Sequence, residues 1–456
     1  MNKIDRVVRS IETSIDQGSF KPGDRLPSVR MAAAQFNVAK NTVVEAYARL
    51  QATQVVLAKP GSGFFVSSVG PAKKVEEEAI IEASDRMSLL QGQLTQQYSI
   101  RPGDGRPPQS WMTSALPKRV NLEKIIAEGN DQSGYGSPLG HGTLRDLIAR
   151  RFATQGVAVN PNQVMTTFGA NHALDLIIRR YVTAGQTVFI DDPGYYPLVA
   201  KLKLAKAKIV GVPRERNGPN LDKLEQLAKQ HRPGLFFTQS TAQNPTGSSY
   251  NLQTAHNTLK LAYHHGFKIV DDDPFLDLQG IGVSGTRLWE LDGFQSVIFI
   301  GTYSKLLSAS FRSGFVVATS DIIQSLTDLK TVTSVNSSRL SEMLIGSMIK
   351  SGSYDQHLKQ LALRLGEAKA ECLETISDHG AKLRCADPEG FYTLIEFPRW
   401  VTPEKVSDIA RKQSVFVAQG NHFFVSEEIP QATSMRINFT RCANRKFSRF
   451  LQKLGD

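Results

Sequence analysis

Cysteine is nearly missing from this chain: Cys372, Cys385 and Cys442 are the only three in 456 residues. Their scatter gives neither a disulfide framework nor a metal-ligand spacing, which argues against a stapled secreted fold and against a cysteine-based metal centre. Long apolar runs are missing as well. None approaches the ~18 residues of a membrane-spanning helix, and the N-terminus lacks the apolar stretch of a secretory signal. The expectation is a soluble protein of the reducing cytoplasm, with no metal and no membrane partner.

Negative charge is in deficit: 54 Lys and Arg against 43 Asp and Glu leave a formal charge of +11, a weak pointer to polyanionic partners. Residues 1–70 hold nine basic and five acidic residues, but the remainder is also net positive, so charge alone does not single out a nucleic-acid-binding segment. The length is too great for one ordinary core and suggests about three folding units. A composition of 41% hydrophobic and 21% charged residues is that of a globular protein.

Within residues 3–17, Ile4, Val7, Val8, Ile11 and Ile15 fall at helical spacing, and Gly18 supplies a stop. The stretch "KPGDRLPSVRMAAAQFNVAKNTVVEAYARL" predicts a Pro-Gly turn, a short helix opened by Pro27-Ser28, a tight turn at Asn37-Val38 and another helix from about Lys40. Two helices across a short turn make a helix-turn-helix candidate. "VVLAKPGSGFFV" follows as two β-rich runs around Pro60-Gly61-Ser62-Gly63, a hairpin whose tip has little side chain and permits close approach to phosphate.

Gly23-Asp24-Arg25-Leu26-Pro27-Ser28, Arg30, Asn41-Thr42-Val43, Ala46-Tyr47, Leu50, Pro60-Gly61, Gly63 and Val66 together resemble the winged helix of the GntR family over residues 3–66. The resemblance implies operator DNA as partner. Arg30 and Lys40 would meet phosphates or base edges, Asn41 and Thr42 would open the recognition helix, and Gly61 with Gly63 would let the wing approach the minor groove. Side chains at the N-terminal end of a recognition helix reach base edges because that end points into the major groove.

Residues 69–95 are charged, then rich in small and polar types, and read as a partly helical linker that ends by residue 98. "RPGDGRPPQSWM" (101–112) is too rich in Gly and Pro for regular structure and suits an extended arm. Beyond it, strand-like runs such as "QVMTTF", "TVFIDD", "GLFFTQS", "KIVDDD" and "SVIFIG" alternate with helical ones. Such alternation signals a mostly parallel α/β sheet whose ligands bind beyond the C-terminal ends of its strands. Polar residues gather at those ends. Gly169, Ala170 and Asn171 open a helix suited to a phosphate, Asp271, Asp272 and Asp273 end one strand, and Thr302, Ser304 and Lys305 end another. One ligand would unite them, a phosphorylated aromatic aldehyde whose ring nitrogen needs an acid and whose carbonyl needs an amine: pyridoxal 5′-phosphate.

From Tyr135 to Arg436 the order of these motifs resembles the fold-type I aminotransferases, and with the winged helix the chain is similar to the MocR subgroup of GntR regulators. The implied domains are a DNA-binding head at 1–68, a linker at 69–98, a large cofactor-binding domain with its arm at 99–335 and a small α+β domain at 336–456. In that resemblance Lys305 matches the lysine of the internal aldimine, Ser304 precedes it, and Thr302 and Arg312 match the phosphate-binding hydroxyl and guanidinium. Asp272, three residues before Phe275, matches the pyridinium partner. Asn244 in "QNPTG" matches the amide at the 3′-oxygen, Tyr195 in "DDPGYYP" the aromatic stacked on the ring, with Tyr196 the second choice, and Arg436 the arginine for a substrate α-carboxylate. Tyr135 matches a tyrosine that reaches the neighbouring subunit's phosphate, which implies a homodimer. Where aminotransferases commonly place a tyrosine hydroxyl near the 3′-oxygen, this chain has Phe275. The expected result is an aldimine that keeps its proton to higher pH, with weaker turnover and intact amine capture.

Three functions compete. The leading one is a transcriptional regulator that senses an amine, an amino acid or the vitamin itself through Lys305. The second is a working aminotransferase with an incidental or autoregulatory head, and the third a DNA binder whose large domain only dimerises.

Overall fold

The computed structural model describes residues 3–16, 19–52, 55–59, 62–67, 89–94, 98–112, 135–425 and 433–455. They belong to two compact units, Met1–Ile81 and Glu82–Asp456. The expected stop at Gly18, the wing residues Pro60 and Gly61, residue 68 of the head and linker residues 69–88 and 95–97 lie outside the described residues.

The first unit packs helices α1 (Lys3–Asp16), α2 (Val29–Phe36) and α3 (Lys40–Ala52) with an antiparallel hairpin of β1 (Val56–Lys59) and β2 (Gly63–Val66). The helical spacing of α1 buries Val7 and Ile11 against Ala32, Val43, Tyr47 and Leu50. Ser28 caps α2 by accepting from the Met31 amide at 3.3 Å, which satisfies one of the donors a helix start leaves free. Asn37 takes the left-handed conformation that ends α2, with φ 50°, and so sets the tight turn into α3. The Tyr47 hydroxyl donates to the Pro27 carbonyl at 2.7 Å and ties α3 to the entry of α2. This is the expected winged helix-turn-helix.

The second unit is built on an eight-stranded sheet in the order β3-β10-β9-β8-β7-β4-β5-β6. Strands β4 (Thr187–Asp192), β5 (Lys208–Glu215), β7 (Leu235–Thr238), β8 (Lys268–Asp273) and β9 (Val297–Thr302) run parallel. β10 (Gly314–Val317) is antiparallel to both β9 and β3 (Val164–Thr167), and the short β6 (Gly218–Pro219) is antiparallel to β5. Strands buried on both faces read as continuous apolar runs. Here the two faces feed separate clusters, with Phe189, Phe236, Ile269 and Phe299 in one and Ile190, Phe237, Val270 and Ile298 in the other.

A small antiparallel sheet, in the order β11-β12-β14-β13, completes the unit: β11 (Lys382–Leu383), β12 (Tyr392–Glu396), β13 (Ala418–Gln419) and β14 (Ser434–Asn438). The segment read as an extended arm is irregular up to a short helix, Gln109–Met112, and is stitched to this sheet. The Gly103 amide donates to the Phe416 carbonyl at 3.0 Å, and the Asn438 amide to the Pro102 carbonyl at 2.8 Å. Residues 89–94, the end of the stretch read as linker, are helical, with Leu89 buried beside Tyr196, Phe416 and Phe423.

Candidate functional site

The strand period of two separates the three carboxylates that end β8, since alternate residues face opposite sides of a sheet. Asp271 accepts from the Ser240 amide at 2.9 Å and the Ser240 hydroxyl at 2.7 Å. Asp273 is paired to Arg287 Nε at 2.6 Å and accepts from the Phe275 amide at 2.8 Å. Both are saturated by structural partners. Asp272, on the other face, takes one bond from Gln239 Nε2 at 3.1 Å and leaves Oδ1 buried with no partner. Burial, with Asp273 and Asp271 pushing the same way, lifts its pKa to about 7. A small cavity lies beside it, lined by Leu174, Tyr195, Leu198, Gln239 and Gln243.

Lys305 follows the end of β9 and is half-buried. Burial, reinforced by Arg436, brings its amine down to about 8, so about a tenth of it is neutral at pH 7, far more than for an ordinary lysine; a neutral amine is the form that attacks a carbonyl. Its Nζ donates to the Gly105 carbonyl of the arm at 2.5 Å. The Tyr392 hydroxyl donates to the same oxygen at 2.7 Å. The arm is held further by Asp104, fully buried, which pairs with Arg101 at 2.9 Å, Arg106 at 3.3 Å and Arg441 at 3.6 Å. Against the upward push of burial, those guanidinium groups hold the carboxyl below its usual range.

An anion cradle stands at the start of the helix Ala170–Tyr181. Gly169 caps it with φ +84°, and a Cβ there would sit 3.6 Å from both Arg312 Nη1 and Ser304 Oγ. Ser304 Oγ is buried without a partner. Arg312 Nη2 donates to the Phe168 carbonyl at 2.9 Å, and His172 Nδ1 accepts the Phe168 amide at 3.1 Å, so the loop is pinned from both sides. Thr302 Oγ1 is engaged inside its own turn, donating to the Ser313 carbonyl at 3.2 Å and accepting the Ser304 amide at 3.2 Å. Asn171 is exposed on the second helical residue. Free helix N-H groups, a spare hydroxyl and a guanidinium suit a phosphoester.

Tyr195 borders the Asp272 cavity, whereas Tyr196 packs edge-on against Phe423 at 5.5 Å between ring centroids. Asn244 Oδ1 accepts from Arg436 Nη1 at 3.1 Å, and Arg436 Nη2 donates to the Gly103 carbonyl at 2.6 Å. The Arg436 guanidinium lies 5.1 Å from the centroids of both Tyr392 and Phe423, and its Nε is buried without a partner. Gln239 joins the groups: its Oε1 accepts the Asn244 amide at 2.8 Å while its Nε2 holds Asp272. Phe275 is fully buried against Phe391 and Tyr392. The structure thus gathers Asp272, Tyr195, Asn244, Lys305 and Arg436, with Gly169, Ser304 and Arg312 beside them. Tyr135 stands apart, 65% exposed on the single chain. Gln239, Tyr392 and the carbonyls of Gly103 and Gly105 are absent from the sequence reading.

In the first unit Arg30, Lys40 and Asn41 are exposed and Thr42 is half-buried at the start of α3. Gly63 has φ +104°, and a side chain there would press on the Arg25 guanidinium, 3.3 Å from its Nε. Gly61 lies outside the described residues.

Residues 101–454 match the family described as aminotransferase class I and II, and residues 3–66 match the bacterial regulatory proteins of the gntR family. The chain is 28% identical over 356 residues to the 2-aminoadipate transaminase of Thermus thermophilus, spanning 76% of this chain and 87% of that one. It is 24% identical over 439 residues to the HTH-type transcriptional regulator YdcR of Escherichia coli, spanning 94% and 93%. Among solved structures, LysN, an alpha-aminoadipate aminotransferase from Thermus thermophilus complexed with N-(5′-phosphopyridoxyl)-L-leucine, superposes with a TM-score of 0.70 at 23% identity, over 83% of this chain and 97% of that one.

Proposed function

Because the chain belongs to the aminotransferase class I and II family and joins that domain to a gntR-family head, as MocR-like regulators do, we propose that it is a pyridoxal 5′-phosphate-dependent transcriptional regulator. It acts in the cytoplasm as a homodimer, divided as head (1–68), linker (69–98), large domain (99–335) and small domain (336–456). The head binds operator DNA through Arg30, Lys40, Asn41, Thr42 and the wing glycines Gly61 and Gly63. The aminotransferase-like domain senses an amine, an amino acid or the vitamin.

The residues present fit this cofactor. The observation that carries the reading is the unpartnered Asp272 Oδ1, a buried acceptor facing the cavity that Tyr195 borders. A protonated ring nitrogen would satisfy it and keep the carboxylate charged. Lys305 offers the amine for the aldehyde carbon, Tyr195 a face for the ring and Asn244 an amide for the ring oxygen. Gly169, Ala170, Asn171, Thr302, Ser304 and Arg312 surround the phosphoester, joined by Tyr135 of a second copy. Arg436 holds an effector carboxylate. When bound, the cofactor supplies an electron-poor carbonyl that primary amines can take over from Lys305.

Displacing Lys305 would return a half-buried amine to the site, a local change of charge able to bias one arrangement of the heads over another. To regulate, the effector must separate those arrangements by more than about 1 kcal/mol. The test is borohydride reduction of cofactor-loaded protein with mass spectrometry of the Lys305 peptide, followed by an amine screen read by visible absorbance and operator binding together. An adduct on Lys305 and an amine that moves both signals are expected; no adduct under cofactor-replete conditions would reduce the protein to a dimerising DNA binder.

A second reading, a working aminotransferase with a head, is favoured by the near-complete set of polar groups around Lys305. Steady conversion of an amino acid with a 2-oxo acid would establish it; a single half-reaction that then stops would favour sensing.

A further inference from the structure

The phenol that shares a hydrogen-bond acceptor with the reactive amine does not come from the turn after β8. Phe275, three residues beyond Asp272, brings a bare ring that is fully buried. Its edge is closed by the loop before β12: Gly390 has φ +64°, and a Cβ there would sit 3.1 Å from Phe275 Cδ2 and 2.8 Å from Ala242 Cβ. The loop therefore presses on Phe275 and carries the next strand directly against it. Tyr392 opens that strand, 5.8 Å from Phe275 between ring centroids, and is 1% exposed.

The Tyr392 hydroxyl and Lys305 Nζ converge on a single acceptor, the Gly105 carbonyl, at 2.7 Å and 2.5 Å. Two donors on one carbonyl oxygen are necessarily near neighbours, since each must lie close to a lone-pair direction of the same atom. The Arg436 guanidinium lies 5.1 Å from the centroid of the Tyr392 ring, and Arg436 holds Asn244. Lys305 thus shares an acceptor with this buried hydroxyl, and Arg436 lies against its ring. Burial pushes this phenol's pKa up, so it is a hydrogen-bond donor throughout the physiological range.

We infer that Tyr392 is the positioning hydroxyl of this site, donating to the oxygen carried next to the carbonyl that Lys305 captures, in place of the hydroxyl that Phe275 lacks. This rests on the cofactor reading above. A hydroxyl given to that ring oxygen makes it a poorer acceptor for the proton on Lys305 Nζ once the nitrogen is joined to the carbonyl, and the proton leaves at lower pH. A phenylalanine at 392 removes the donor and holds the proton to higher pH.

The experiment is a pH titration of the visible absorbance of the full-length protein loaded with pyridoxal 5′-phosphate, in wild type, Tyr392→Phe, Phe275→Tyr and the double variant. Tyr392→Phe should raise the midpoint by about one pH unit, a tenfold change in proton affinity. Phe275→Tyr should lower it far more in the Tyr392→Phe background than in wild type, because two hydroxyls then compete for one role and their effects do not add. A purely structural Tyr392 would alter cofactor retention without moving the midpoint. If Tyr392→Phe titrates with wild type, or Phe275→Tyr acts equally in both backgrounds, the assignment is wrong while the cofactor reading stands. If wild type shows no visible band and no reduced adduct on Lys305, the cofactor reading fails and takes the assignment with it.

Discussion

Arg436 and Gly103 are joined by a 2.6 Å hydrogen bond in which the guanidinium donates to the arm's carbonyl. Two residues on, the Gly105 carbonyl does the same for Lys305. The two side chains proposed to receive an effector thus each donate to one short stretch of main chain, at Gly103 and Gly105. A carboxylate or amine that took these bonds over would couple occupancy of the site to the position of the arm.

The arm's fit gives the first prediction. A Cβ on Gly103 would lie 2.3 Å from the Ala418 amide nitrogen and 2.7 Å from the Val417 carbonyl carbon, main-chain atoms that cannot turn aside. Gly103→Ala should cost about 1–3 kcal/mol, the range for overpacking, and lower the thermal unfolding midpoint. Gly142→Ala, at a helical position where a Cβ meets nothing within 4 Å, should leave that midpoint unchanged or raise it slightly. Equal midpoints for the two variants would show that the arm is not held as described.

Asp272 supplies a pH-dependent prediction for the cofactor-free protein. Its pKa is raised by burial from 3.8 to about 7, so between those values the folded state binds the proton more tightly than the unfolded state. The stability this group contributes is present below about pH 4 and is lost as pH rises through about 7. Asp272→Asn keeps the shape and removes the titration. Its stability relative to wild type should increase from pH 4 to pH 7 and level off above, as read by urea denaturation. Parallel pH profiles would mean that Asp272 is not desolvated in the folded protein.

How much of this is legible in sequence depends on what kind of group does the work. Side chains at strand ends are legible, because an apolar run such as "KIVDDD" announces both the strand and its polar terminus. The choice of Asp272 among three carboxylates has a second basis in strand alternation, which leaves Asp271 and Asp273 on the face that holds Ser240 and Arg287. Gly103 and Gly105 act through carbonyl oxygens, which every residue has; their glycines signal only an irregular arm. Tyr392 reaches the site from a strand far along the chain, and no local pattern marks a tyrosine in a small-domain sheet as facing Lys305. Gln239 is similar: its bonds to Asp272 and Asn244 depend on how the β7 loop folds back.

The cradle at Gly169 predicts a phosphate-specific defect. Gly169→Ala puts a methyl 3.6 Å from Arg312 Nη1 and Ser304 Oγ at a backbone φ of +84°, which costs about 1 kcal/mol for an L-residue and fills the space between the two donors. Affinity for pyridoxal 5′-phosphate should fall at least about tenfold, while affinity for pyridoxal, which lacks the phosphoester, should change much less. Spectral titration with both compounds reads the difference. Equal losses would place the phosphate elsewhere.

The head can be tested independently, because its residues form their own core around Val7, Ala32, Val43 and Tyr47. Arg30 and Lys40 are exposed, so removing either side chain leaves that core intact. If each meets one phosphate, Arg30→Ala and Lys40→Ala should each weaken operator binding and reduce the slope of log affinity against log salt by about 1, since one fewer counterion is released. Asn41→Ala should behave differently. A contact to a base edge carries about 1–3 kcal/mol of discrimination at one position, so its loss should relax the preferred sequence there and leave the salt slope unchanged. Binding measured across a salt series, on the preferred operator and its single-base variants, separates the two classes of contact. A salt slope unmoved by both Arg30→Ala and Lys40→Ala would remove these residues from the DNA face and return them to the role of solvated surface charge.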